Sequence, residues 1–245
     1  MAEKPILILT LRRTGGTSLA QFLANLPGSG PFKHEPFNVD RPFGQVHSAF
    51  RETQDRTALD RDIAEVMRDH PNVKHCIDNT PYRLSTGLID FARDAGYRFL
   101  VLTRRDNARR LLSLAVAQST GAWGSRQAAK VYPAIRSGEI KPAPIDIPGL
   151  ARIMRNDFHN LGVVMTHLRN NRISHEWIVF EDFYGGEAPV EVQARELAGR
   201  FGFDIGPDHP LLDTFGKSGG QGTETITGFI PNIDEARAAL AEMHS

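Results

Sequence analysis

Three short apolar runs restrict the fold more than any other feature of the sequence: Ile6-Leu7-Ile8-Leu9-Thr10-Leu11, Phe99-Leu100-Val101-Leu102-Thr103 and Trp177-Ile178-Val179-Phe180. Apolar character without alternation suits a strand covered on both faces, the condition inside a parallel sheet. A fourth, weaker candidate is Val73-Lys74-His75-Cys76-Ile77. Between the runs lie stripes with helical spacing. Ala108, Leu111, Leu112 and Ala115 form one, and Leu150, Ile153, Met154, Leu161, Val164 and Leu168 form a longer one with Pro148 near its start. Ala194, Leu197, Ala198 and Phe201 form another, ended by Gly202, and Asn232 three residues before Glu235 predicts a capping-box-like start for a helix from Ile233 to Met243.

Strands alternating with helices predict crossover connections, and so an α/β fold with an open, mostly parallel sheet and helices on both faces. A chain of 245 residues can bury a full core unaided, so a single domain over residues 1–245 is expected. Residues 27–55 and 121–148 are rich in Gly, Pro and polar residues and read as long connections, which in compact domains usually form lids or binding walls.

Charge excludes several function classes. Lys and Arg number 29 against 29 Asp and Glu, so the excess of positive charge that non-specific nucleic-acid or membrane binding needs is absent. The single cysteine, Cys76, rules out an intramolecular disulfide and a multi-thiolate zinc site. The nine histidines are scattered, without H-E-x-x-H or a similar metal spacing, so no metal is expected. No apolar run approaches the ~18 residues of a membrane helix, and the PILILTL stretch is too short for a secretory core. A reduced, cytoplasmic protein is expected.

The informative charge is local. The first strand runs into Leu11-Arg12-Arg13-Thr14-Gly15-Gly16-Thr17-Ser18 and then a helix marked by Leu19, Phe22 and Leu23; the second runs into Thr103-Arg104-Arg105-Asp106-Asn107 and a helix. Ligands of open parallel sheets bind outside the carboxyl ends of the strands, and helix N-termini favour anions. Gly15 and Gly16 let backbone approach an oxyanion, and Thr14, Thr17 and Ser18 add hydroxyls. Solvated arginines and an ordinary turn would explain one such pair. Two pairs at strand-to-helix junctions point to a phosphate-bearing ligand. A nucleotide-hydrolysing loop, G-x-x-x-x-G-K-[ST], is not what stands here, since both its lysine and its first glycine are missing, and no G-x-G-x-x-G is present.

A strand followed by Arg-Thr-Gly-Gly-Thr-Ser resembles the 5′-phosphosulfate loop of sulfotransferases that use 3′-phosphoadenosine 5′-phosphosulfate (PAPS), and Arg105 with Ser113 eight residues on resembles their 3′-phosphate motif. The stretch from Arg104 through Leu112-Ser113-Leu114-Ala115 to Gln118-Ser119-Thr120-Gly121-Ala122-Trp123 is similar to bacterial carbohydrate sulfotransferases of the trehalose 2-sulfotransferase and Nod-factor sulfotransferase type. Glu181-Asp182-Phe183 resembles that group's Tyr-Glu-Asp-Leu segment, and Gly216-Lys217-Ser218-Gly219-Gly220 its late basic loop. Departures are Arg13 where the family often has Lys, Gly16 for a frequent Thr, and Lys217 without a preceding Arg.

The resemblance implies a P-loop-like sheet and PAPS as co-substrate, without a metal. It also implies an acceptor hydroxyl on a carbohydrate, glycolipid or small metabolite. Arg12, Arg13 and the segment Thr14 to Ser18 would hold the phosphosulfate, Arg13 also stabilising charge in the transition state; Arg105, Ser113 and Lys217 would hold the 3′-phosphate. Glu35 in His34-Glu35-Pro36-Phe37 would be the general base, with His34 in reserve. Relatives of this kind often pair, so a homodimer is compatible with the resemblance. Trp123 would serve as an acceptor wall or as a packing residue, and Asp78-Asn79-Thr80-Pro81 either bonds acceptor hydroxyls or caps the next helix, the reading preferred here. Two other functions remain open to the residues alone: a kinase with a degenerate phosphate loop, and a non-catalytic adenine-nucleotide-binding module.

Overall fold

The computed structural model describes residues 4–216 and 222–243. Strands β1 (Ile6–Thr10), β2 (Phe32–His34), β3 (Asn72–Cys76), β4 (Arg98–Thr103) and β5 (His175–Val179) form one sheet in the order β2-β3-β1-β4-β5. Every pairing is parallel. The helices are α1 (Gly16–Ala24), α2 (Gly44–Thr53), α3 (Arg56–Val66), α4 (Tyr82–Asp94), α5 (Asn107–Thr120), α6 (Ser125–Arg136), α7 (Ile147–Asn170), α8 (Phe180–Gly185), α9 (Val190–Arg200), α10 (Pro210–Gly216) and α11 (Ile233–Glu242). The chain divides into two compact units. One holds the described residues up to Arg105 together with Asp157–Gly216; the other holds Asp106–Asn156 and the described residues after Gly216.

In the first unit the strand side chains alternate between two cores. Leu7 and Leu9 of β1, Val73 of β3 and Phe99 and Val101 of β4 join Val46 and Phe50 of α2, Leu59 and Ile63 of α3, and Leu84, Leu88 and Ile89 of α4. Ile6 and Ile8 with Leu100 and Leu102 join Leu19, Phe22 and Leu23 of α1, Leu197 of α9 and Phe215 of α10. Each face is covered by helices, which is why the strand sequences are apolar throughout rather than alternating. The open parallel α/β sheet expected from the apolar runs is the fold observed.

In the second unit α5, α6, the Ile147–Asn156 part of α7 and α11 surround a separate core of Leu111, Val116, Ala128, Tyr132, Ile135, Leu150, Ile226, Ile230, Ala236 and Leu240. The side chain of Asn232 does not cap α11. Its Oδ1 accepts from the Ile145 N–H at 2.8 Å and its Nδ2 donates to the Ile145 carbonyl at 3.0 Å, so it ties the loop before α7 to the start of α11. A capping box is satisfied locally; here a distant backbone offered the amide two partners instead of one.

The connections explain where a ligand would sit. The segment after β1 leads away to β2 at one edge of the sheet, whereas the segment after its neighbour β4 leads to β5 at the other. Adjacent strands whose connections diverge leave a crevice at their carboxyl ends. Thr10 and Thr103 end these two strands, so Leu11–Gly15 and Arg104–Arg105 share that crevice.

Candidate functional site

The turn between β1 and α1 is tightly built. The Thr14 hydroxyl is buried and donates to the Leu11 carbonyl at 2.6 Å, and it also meets the Thr10 hydroxyl. Gly15 precedes α1 with φ +79°, a left-handed conformation. A Cβ there would lie 2.9 Å from a Tyr184 ring carbon and 3.0 Å from one of Phe180, so glycine is required by both backbone and space. The Tyr184 hydroxyl donates to the Gly15 carbonyl at 3.2 Å. Gly16, Thr17 and Ser18 are the first three residues of α1, with Thr17 exposed and Ser18 half-buried.

Five described residues other than glycine have positive φ: Arg13, Glu35, Gln54, His70 and Arg172. Gln54 and Arg172 follow the ends of α2 and α7, where a left-handed residue is an ordinary way to stop a helix, and His70 closes the turn between α3 and β3. Arg13 and Glu35 instead follow the carboxyl ends of β1 and β2. Both are residues singled out from the sequence, and both pay the steric penalty of the left-handed region without a helix to terminate.

The arginines at the crevice are held by carboxylates that the sequence did not connect to them. The Arg12 Nε donates to Asp78 Oδ2 at 2.6 Å, and its backbone N–H donates to Asp78 Oδ1 at 3.1 Å. Burial disfavours the Arg12 charge, but the fully buried Asp78 carboxylate more than offsets it and raises the guanidinium pKa. Asp78 therefore anchors the phosphate-loop candidate instead of capping α4, whose N-cap is Pro81 without a side-chain bond. Arg104 donates from Nη1 to the Arg13 carbonyl at 3.1 Å, lies 3.4 Å from Glu181 through Nε, and sits 4.5 Å over the Phe180 ring. It ties the β4 end to the β1 turn. The Arg105 side chain is exposed and donates from Nη2 to both Asp182 oxygens at 2.8 and 2.7 Å, while its N–H donates to Glu181 Oε2 at 2.8 Å.

Glu35 is placed by β3. Its N–H donates to the Lys74 carbonyl at 2.7 Å, continuing the β2–β3 ladder past His34. Its carboxylate accepts from the Lys74 ammonium and, at 3.0 Å, from Asn38 Nδ2. Lys74 is only 4% exposed. Burial pushes the Glu35 carboxyl up, but the Lys74 charge and hydrogen bonds from Lys74, Cys76 and Asn38 outweigh it, holding it at about 2. Burial and the Lys74 charge lower the His34 pKa. The Cys76 thiol is pushed far up by burial. On the opposite sheet face, His75 is pushed down to about 4 by burial, its Nε2 lying 2.9 Å from the Ser85 hydroxyl and 3.2 Å from that of Thr80.

Both His75 and Glu35 have folded pKa values below their ordinary ones, so each contributes stability that is complete above the ordinary value and lost on acidification. His75 acts between pH 6.5 and about 4, Glu35 between pH 4.5 and about 2. Urea midpoints of Glu35→Gln are expected below wild type at pH 7, since Lys74 then lacks its counter-charge. The gap is expected to close between pH 4.5 and 2 as the wild-type carboxylate takes up its proton. A gap independent of pH would contradict the Lys74–Glu35 pairing.

Of the remaining expected site residues, Ser113 lies on α5 and Trp123, exposed, just before α6, both in the second unit. Lys217 lies outside the described residues. Among the described residues no group of three or more His, Cys, Asp or Glu could hold a metal ion, and no helix is long and apolar enough to cross a membrane. Sequence reasoning missed Lys74. The available signal was a lysine inside a strand-like run, because a buried lysine needs a counter-charge. Neither a protein-family model nor a curated protein matches this chain.

Proposed function

We propose that the chain is a PAPS-dependent sulfotransferase acting on a hydroxyl of a carbohydrate, glycolipid or small metabolite. The observation that carries this reading is the pair of left-handed residues, Arg13 and Glu35, at the ends of β1 and β2. Strained backbone kept at strand ends beside a ligand crevice is characteristic of sites that position reacting groups. The Gly15–Gly16 turn opening α1 and the four arginines Arg12, Arg13, Arg104 and Arg105 add support, since together they offer an anion backbone donors and positive charge.

In this reading the amides from Gly15 to Ser18 with Arg13 take the 5′-phosphosulfate, and Arg12, fixed by Asp78, holds the turn in shape. Arg105 takes the 3′-phosphate by exchanging its Asp182 partner, an exchange made easy because ion pairs in water are weak. The acceptor O–H gives its proton to the Glu35 carboxylate while its oxygen forms the new bond to sulfur. The bond from sulfur to the 5′-phosphate oxygen breaks, and its electron pair leaves on that phosphate. As in phosphoryl transfer, the protein contributes in-line positioning and charge stabilisation rather than covalent chemistry.

Thermal unfolding with added nucleotides tests this. At 100 times its Kd a ligand of the folded state stabilises by about 2.7 kcal/mol, which for a chain of this size is a rise of roughly 5–10 °C. Adenosine 3′,5′-bisphosphate is expected to give such a rise at a lower concentration than adenosine 5′-phosphate or ATP with magnesium, and Arg105→Ala is expected to erase its advantage over the 5′-phosphate. A shift by ATP–magnesium alone would replace this reading with a kinase.

A further inference from the structure

Lys74 touches two parts of the site at once. Its ammonium is bonded to the Glu35 carboxylate. Its Cε lies only 3.2 Å from the position a Cβ would take at Gly16, the first residue of α1, and Thr10 Cγ2 lies at the same distance. The parallel register explains this: Lys74 is level with Ile8 of β1 and His34 of β2, and so shares the sheet face that α1 covers. A lysine this deeply placed beside the first turn of α1, in a chain whose β1–α1 loop has no lysine of its own, brings an ammonium next to both the proposed base and the proposed anion position.

We infer that Lys74 is a shared counter-ion: it neutralises Glu35 in the free protein and turns to an anion held at Gly15–Ser18 once one binds, releasing the Glu35 carboxylate to accept a proton. This rests on the proposed sulfotransferase reading and deepens it. A carboxylate bonded to an ammonium is a poor proton acceptor, so the base gains strength only when the donor anion is in place. No covalent step is added; the ammonium keeps its proton and exchanges one hydrogen-bond acceptor for another. Lys74 is thus a positioning residue that couples donor binding to the readiness of the base. The groups that interact with the pair are Cys76 and His75 on β3, His34 on β2 and Asn38 in the loop after it.

The test is a double-substitution cycle read by calorimetric binding of inorganic pyrophosphate to the full chain, with adenosine 3′,5′-bisphosphate in parallel. A charge-assisted hydrogen bond supports an expectation that Lys74→Met weakens pyrophosphate about tenfold or more. Glu35→Gln is expected to tighten it several-fold, because the competing acceptor has gone, and to have no effect once Lys74 is Met. Equal tightening in both backgrounds, unchanged affinity in Lys74→Met, or no pyrophosphate binding by the wild type would each overturn the inference. If Lys74→Met alone does not fold, the double variant, which leaves no buried charge unpaired, is compared with Glu35→Gln. Coupling seen with pyrophosphate but no preference for the adenosine ligand would leave Lys74 as inferred and remove the sulfotransferase reading. The reverse pattern would remove only the role of Lys74.

Discussion

Asp78→Ala is expected to destabilise the protein by about 3 kcal/mol, because removing one partner of a buried ion pair takes from the other the nearby charge that offsets its burial. The Asp78 side chain is fully buried and carries two bonds from Arg12, one from the side chain and one from the backbone, so both the guanidinium and the start of the β1–α1 turn lose their anchor. For a chain of this length that is a fall in Tm of roughly 6–12 °C. Asp78→Asn keeps an acceptor for the Arg12 N–H but loses the charge, and is expected to cost about half as much. A Tm within ~2 °C of wild type for Asp78→Ala would mean that Arg12 is not held as described.

The second large effect concerns Gly15. Gly15→Ala is expected to cost about 3 kcal/mol, the sum of a left-handed alanine at ~1–2 kcal/mol and an overpacked contact at ~1–3 kcal/mol. Gly96 supplies the control. It has nearly the same φ, +74° against +79°, but a Cβ there would meet nothing within 4 Å, so Gly96→Ala is expected to cost only about 1 kcal/mol. Urea unfolding of the two variants separates backbone strain from the contact with Tyr184 and Phe180. Equal costs would show that the aromatic pair gives way freely. The same Gly15 variant is expected to lose adenosine 3′,5′-bisphosphate binding out of proportion to its stability, since the turn itself carries the anion donors.

The sheet was legible because burial on both faces writes itself as unbroken apolar sequence. β1 and β4 stand almost where their runs predict, and the weaker fourth candidate is β3. The edge strand β2 and helix α2 fall inside residues 27–55, which read as connection: β2 has three residues, and α2 buries only Gly44, Val46, His47 and Phe50. Likewise α6 lies within 121–148, its buried side hidden among polar residues. The anion-loop residues were visible as a local string. Their partners were not, because Asp78 is 66 residues from Arg12, Lys74 is 39 from Glu35 and Asp182 is 77 from Arg105. Charge compensation at such separations depends on strand order, which no single stretch of sequence contains.

The first unit is assembled from two separated stretches of chain, with β4 in the first and its neighbour β5 in the second. On a ribosome the strand ending at Thr103 therefore emerges long before His175, and all of Asp106–Asn156 is synthesised in between. During that interval the growing polypeptide carries the apolar edge of Phe99–Thr103 without its final neighbour. Parallel pairing between distant segments is intrinsically slow, so closure of β5 onto β4 is expected to come late, and it is there that a nascent-chain chaperone would have the most to shield.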